Sequence, residues 1–399
     1  MHEANTAAQA DTTTQANTTA QVNTEQWAQE IADKIIAKMR VVAERNQHTV
    51  PYTTGEDGRF DDHSAPGAIN WWTNGFWGGL MWQLHHATGD DLYRTIAEEL
   101  EGKLDAVLMN YDGLDHDNGF KWLPTAVADW RETGNQASRN RALLAAANMA
   151  GRFNTAGNFI RAWNSWDGEP NTGRAIIDCM MNLPLLYWAS TELDDPRFKQ
   201  IAVAHANTAQ QRFVRADGSV RHIIDFDPAT GEYLGSQGGQ GYGHGSSWTR
   251  GQAWAIYGFA LSYIHTQDPQ YLDTAKRVAN YFIANTPANG LIPVDFRQPE
   301  NVTWEDSTAA AIAACGMLEI AKQCEGETEA DARIYRDAAL RLLKALADNR
   351  VLWDEGHDNL LTHCTAAYHD KDHEFAIIYG DYYFVEAIWK LTGRELFIW

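Results

Sequence analysis

The sequence predicts an all-α fold, in which six helical hairpins form an inner barrel of helices and an outer ring around it. Three observations carry the prediction. Apolar residues recur at helical spacing almost from end to end, as in Trp27, Ile31, Ile35, Ile36 and Met39. Two kinds of helix are present: residues 175–191 and Gln252 to Tyr263 are apolar all round, as a buried inner helix must be, while 196–214 and 270–285 are amphipathic, as an outer helix should be. The same kind of turn also recurs, at Thr88-Gly89-Asp90-Asp91, Thr133-Gly134-Asn135, Leu193-Asp194-Asp195-Pro196, Gln267-Asp268-Pro269 and Thr328 to Tyr335, each ending one helix and starting the next. Asp and Asn cap helix starts, and the fixed φ of Pro suits a first helical position.

In chain order the pattern places helices at 25–45, 75–88, 91–110, 124–133, 136–153, 174–191, 196–214, 250–266, 270–285, 306–323, 329–349 and 381–392. The turns recur at intervals too irregular for a solenoid. Strand signals are short, at Val220 to Ile224 and Leu291 to Val294. Residues 1–24, rich in Thr, Ala, Gln and Asn, are expected to be a disordered tail, and 25–399 a single domain. Long connections at 111–123, 154–173, 215–249, 286–305 and 351–380 fall between hairpins on one face, where a scaffold carries its site.

Composition narrows the function. The net charge is −21, from 53 acidic and 32 basic residues, which argues against nucleic acid and against anionic membrane surfaces. No apolar run reaches transmembrane length. The tail lacks Lys and Arg and does not read as a secretory signal. Four scattered cysteines, Cys179, Cys315, Cys324 and Cys364, fit a reducing compartment, and a cytoplasmic location is expected. There is no phosphate loop, dinucleotide fingerprint or G-x-S-x-G elbow, so no cofactor is expected. His369 and His373, His85 and His86 match no metal-ligand spacing, and no metal is expected.

The long connections hold the unusual residues. Asp115-His116-Asp117-Asn118-Gly119-Phe120 lies in the first, Trp163 and Trp166 in the second, and His222, Gln240 and Ser246 to Trp254 in or just after the third. Asp178 interrupts an apolar helix about one turn after its predicted start, and a carboxylate there must be desolvated or paired. Arg174 and Asn182, four residues either side, are candidate partners, so a buried Arg174–Asp178 ion pair is the structural alternative to a functional role. Asp117, before Asn-Gly, could equally be a turn residue. Sixteen Trp exceed the needs of a core this size, and Trp faces suit sugar rings. Two carboxylates over an aromatic-lined cavity resemble a glycosidase, without naming the sugar.

The segments Trp72 to Trp77, His116 to Phe120, Gly173 to Leu186, Ser246 to Phe259, Asp306 to Ile320 and Gly380 to Tyr383 together resemble the unsaturated glucuronyl hydrolases of glycoside hydrolase family 88. The resemblance runs from about residue 25 to 393. It implies an (α/α)6 barrel and an unsaturated oligosaccharide substrate, made by polysaccharide lyases and ending in a 4,5-unsaturated uronic acid. It implies that water adds across the C4=C5 vinyl ether, with Asp178 as general acid/base and Asp117 in support. It places Trp72, His116, Trp163, His222, Gln240, Trp248, Arg250 and Trp254 on substrate, with Arg250 or its neighbours offsetting the global charge near the uronate. Relatives that take sulfated fragments carry serines and a lysine near the C-terminal loop; residues 362–375 have Lys371 but no Ser. An unsaturated rhamnogalacturonyl hydrolase acting on pectin fragments, a sugar epimerase using His222 and other histidines as bases, and a non-catalytic sugar-binding protein are the rival readings. A monomer or weak homodimer is expected.

Overall fold

The computed structural model describes residues 2–165, 168, 171–326 and 328–399, with side chains from Asn23 onward. Trp166 lies outside the described residues. Its helices are α1 (His2–Arg45), α2 (Phe76–Thr88), α3 (Asp91–Leu108), α4 (Asn118–Trp122), α5 (Ala128–Thr133), α6 (Gln136–Gly151), α7 (Cys179–Leu193), α8 (Pro196–Arg212), α9 (Thr249–Thr266), α10 (Pro269–Asn285), α11 (Ser307–Cys324), α12 (Glu329–Asn349) and α13 (Ile378–Thr392). A π-helical stretch, Leu123–Val127, joins α4 and α5 into one continuous rod.

These elements form the (α/α)6 barrel. The inner ring runs α2, α4–α5, α7, α9, α11 and α13, and closes where α13 packs on α2. Outside it, α3, α6, α8, α10 and α12 each pack on the inner helix that precedes them in sequence. The sixth hairpin joins the two ends of the chain, because α1 is the outer partner of α13. The two residue patterns account for the two rings. In α7 every residue from Cys179 to Ser190 is buried. In α10 the buried residues are Tyr271, Thr274, Ala275, Val278, Ala279 and Phe282, one stripe of an amphipathic helix. Asp90, Asn135, Asp195 and Asp268 accept hydrogen bonds from backbone N–H groups of the outer helices they start. Thr328, which precedes α12, makes no such side-chain bond.

The helix α1 extends back over residues 2–24 of the segment expected to be a tail, and its side chains are described only from Asn23. Two other boundaries differ from the sequence reading. The helix expected at 124–133 begins instead at Asn118, and the π-helical stretch absorbs Pro124, which has no N–H to give a regular turn. The helix expected at 174–191 begins only at Cys179. Residues Arg174–Ile176 are strand β3, paired antiparallel with β4 (Ile223–Phe226), which pairs in turn with β5 (Tyr233–Gln237). The β-branched pair Ile176-Ile177 favours extended backbone, and the Ile177 N–H donates to the His222 carbonyl at 3.1 Å.

The two ends of the barrel are built differently. All the long connections, and the three-stranded sheet, lie at the end where the inner helices start. The opposite end has short turns and is stopped by the last residues of the chain. There Gln83 exchanges two hydrogen bonds with Leu396, and Trp399, fully buried, stacks on Tyr383 and meets Phe76, Phe120, Tyr257 and Tyr382 in the barrel axis.

Candidate active site

Each inner helix delivers its first turn, or the residues just before it, to the same end of the barrel: Trp72 before α2, Asp117 before α4, Asp178 before α7, Trp248 and Arg250 at α9, Asp306 before α11 and Tyr379 in α13. Inner-helix N-termini therefore converge on the site, and with them the positive ends of the helix dipoles.

Asp178 occupies the N-cap position of α7 without capping it. Its partner is not Arg174, which is on β3 and binds Asp225 and Asn171 at 2.9 Å each. The buried ion pair considered above is therefore absent. Instead, Asp178 Oδ2 lies 3.6 Å from His222 Nε2. Both atoms are buried and neither has a hydrogen-bond partner. The sheet sets this approach, since His222 immediately precedes β4 and Asp178 follows β3 by one residue.

Asp117 is also buried, and its Oδ2 lies 3.4 Å from His116 Nε2. Burial works against a charge on His116, but the Asp117 carboxylate, followed by Cys179, raises its proton affinity well above that of an ordinary imidazole. Asn182 links the two carboxylate segments. Its Nδ2 donates to Asp117 Oδ1 at 3.3 Å and to the Asp178 carbonyl at 3.2 Å, while its Oδ1 accepts the Phe120 N–H at 2.8 Å. Only glycine fits at 119, where a Cβ would lie 2.5 Å from Asn182 Cα.

The walls are aromatic. Trp248 packs on the His222 ring at 4.4 Å between centroids. Trp72 is half-buried, 5.0 Å from Tyr379 and 5.3 Å from Phe120, and Trp254 lies 5.1 Å from Phe120. The indole N–H groups of Trp248 and Trp254 and the Tyr379 hydroxyl are buried without partners. Trp163 packs against Ile176 and Ile223, neighbours of Asp178 and His222 along the two strands.

Arg250 plays a different part from the one its charge suggests. Its Nη1 donates to Asp306 Oδ2 and to the Thr365 carbonyl, both at 2.6 Å, and its Nη2 donates to the Ala366 carbonyl. Burial opposes its charge, but Tyr379, Asp306 and Asp178 together raise its proton affinity. The guanidinium is thus largely neutralised by Asp306, and only Nε is left unpartnered. Gln240 is also tied to this loop: its Nε2 donates to the same Ala366 carbonyl at 2.8 Å and its main-chain carbonyl accepts the Tyr368 N–H at 2.9 Å.

The chain has known relatives. The glycosyl hydrolase family 88 model matches residues 27–397. The unsaturated glucuronyl hydrolase of Bacillus sp. (strain GL1) is 38% identical over 333 residues, 82% of this chain and 88% of that protein. The chain belongs to glycosyl hydrolase family 88. Another similar protein is the unsaturated chondroitin disaccharide hydrolase of Streptococcus pyogenes serotype M1, 34% identical over 79% of this chain and 80% of that one. Among solved structures, the Bacillus sp. GL1 enzyme superposes with a TM-score of 0.84 at 34% identity, covering 90% of this chain and 96% of its own. The unsaturated glucuronyl hydrolase of Streptococcus agalactiae gives 0.86 at 30% identity, covering 94% of each.

As a family 88 glycoside hydrolase, this chain brings the ten residues that the resemblance marked as catalytic or substrate-binding to one end of the barrel. Asn182 had been noted only as a neighbour of Asp178, and its link to Asp117 was missed. Asp306 as the partner of Arg250 was missed too; its only sequence signal was its place before an apolar helix. Among the described residues no group of three or more His, Cys, Asp or Glu is placed to hold a metal ion, and no helix is long and apolar enough to cross a membrane.

Proposed function

We propose that this enzyme removes a 4,5-unsaturated uronic acid from the end of a lyase-generated, glycosaminoglycan-type oligosaccharide by hydrating its C4=C5 bond. The observation that carries the reading is the buried, unpartnered Oδ2 of Asp178 beside His222, one helix start away from Asp117. The Asp178 carboxyl gives its proton to C4. Water then attacks C5, and its proton returns to Asp178. The C5 hemiketal opens, and C1, now a hemiacetal carbon, releases the remaining sugar. Asp117, held by Asn182, orients the substrate hydroxyls. The inner-helix N-termini favour the uronate carboxylate despite the net charge of −21. The aromatic walls stack on the sugar, with Trp72, Trp163, Trp248 and Trp254 as contacts and His116 as a polar one.

What the relatives act on supports this substrate class: a mutant of the S. agalactiae enzyme is complexed with dGlcA-GalNAc6S. The epimerase alternative relies on His222 among its bases, and the His222 Nδ1 lone pair already accepts the Gln240 N–H at 2.9 Å. A reducing compartment, the cytoplasm, belongs to the same reading, since Cys179, Cys315, Cys324 and Cys364 are buried free thiols. So does a monomer or weak homodimer.

The test is loss of the ultraviolet absorbance of the conjugated double bond on a panel of unsaturated disaccharides from hyaluronan, chondroitin, heparin and pectin, sulfated and unsulfated. Activity on the glycosaminoglycan members is expected. No loss on any of them would overturn the reading, and loss on the pectin member alone would move it to the rhamnogalacturonyl class.

A further inference from the structure

The proposed proton carrier has a carboxyl with two oxygens, and only one of them can face C4. His222 is placed to decide which. Its ring is held from three sides. The chain pairs at Ile177, Trp248 covers one face, and the turn after β5 reaches back to Nδ1. In that turn Gly239 has φ +58, and a Cβ at this position would lie 1.9 Å from His222 Nδ1. Any side chain at 239 would therefore both strain the backbone and push the imidazole away. The left-handed glycine aims the next N–H, that of Gln240, at Nδ1, 2.9 Å away. A ring nitrogen that accepts an N–H carries no proton, so the single proton of the neutral ring sits on Nε2. Nε2 faces Asp178 Oδ2 at 3.6 Å, and the two have no other partner.

We infer that Gly239 and the Gln240 amide lock His222 as the Nε2–H tautomer, and that this N–H makes Oδ2 of Asp178 the acceptor oxygen, leaving the carboxyl proton on Oδ1 for the sugar. His222 and Gly239 are then positioning residues for the proton transfer, over and above any contact His222 makes with substrate. The separation of 3.6 Å closes to a hydrogen bond with a small shift, as catalytic contacts do when substrate enters. The role of the lock rests on the acid/base function proposed for Asp178; the tautomer itself does not.

The tautomer is read directly from long-range proton–nitrogen correlations of histidine-labelled free enzyme, with the His222 signals assigned by their absence in His222→Gln. An Nδ1 that is unprotonated and an Nε2 that carries the proton are expected, and the reverse pattern overturns the inference. For the role, Gln places an amide N–H near Nε2 and Asn places one near Nδ1. His222→Gln should keep kcat at least about tenfold above His222→Asn, the worth of one charge-assisted hydrogen bond, with similar KM. Gly239→Ala should resemble His222→Asn in kcat. Equal kcat in the Gln and Asn variants overturns the positioning role even if Gly239→Ala fails to fold. A wild-type enzyme inactive on every unsaturated disaccharide would sink the proposed function, whereas an Nδ1-protonated ring in an active enzyme sinks only this inference.

Discussion

The two ends of the barrel are made from the same twelve rods and treat their carboxylates in different ways. At the closed end, strong groups are buried in company. Lys390, buried, donates to Glu319 and Glu395 and lies 3.6 Å from Glu386, which accepts Trp399 Nε1–H at 2.7 Å and the Tyr257 hydroxyl. At the open end, Asp178 Oδ2, His222 Nε2, His116 Nδ1, Arg250 Nε and two indole N–H groups are buried without partners. A buried polar atom left unpaired costs stability, so this set makes sense where a ligand completes it. The closed end holds the barrel together while the open end carries the chemistry.

Substitutions should separate the two. Asp178→Asn, at the open end, is expected to give the largest effect, a loss of roughly 10²–10⁴-fold in kcat with unchanged thermal stability, measured by the absorbance assay and calorimetry. Lys390→Met, at the closed end, leaves three carboxylates without their cation. We expect a loss of about 3–5 kcal/mol in denaturant unfolding, with kcat near wild type at low temperature. If Lys390→Met instead silences the enzyme while leaving stability alone, the division of labour is wrong. Asn182→Ala lies between the two, because it removes a bond to Asp117 and strands the Phe120 N–H. A fall of about tenfold in kcat together with about 1–3 kcal/mol of stability is expected.

The smallest effect is a pH slope at the closed end. Burial, partly offset by Lys390, pushes the Glu395 carboxyl up to about 7. The folded state thus holds a proton between the ordinary value of 4.5 and about 7 that the unfolded chain has released. Stability should fall as pH rises through that window and level off above it. Glu101 and Asp381 are raised to about 7 by burial as well, so Glu395→Gln should flatten the slope of the melting temperature only in part.

The barrel was legible in the sequence because its two rings obey different local rules. Residues 179–190 have no polar stripe, 269–285 have one, and Asp268-Pro269 marks the handover between α9 and α10. The open end was legible residue by residue but not in its pairing. Ala175-Ile176-Ile177 suits a strand as well as a buried helix, and its β4 partner is about fifty residues away, so Asp178 was read as lying inside the helix rather than at its start. Arg250 was read as a cation near the uronate, and its pairing with Asp306, 56 residues on, has no signature in local spacing. Gly239 offered no signal beyond a Gly-rich stretch, since its role depends on the position of His222.

The stopper formed by Trp399 has a consequence for traffic. With the barrel axis filled by Trp399 and the rings around it, the open end is the single doorway, and on the proposed reaction a sugar chain presents its tip to Asp178. The liberated acid must leave by the doorway through which the chain arrived. On that reaction each chain is cut once, because the unit uncovered at its new tip has no C4=C5 bond.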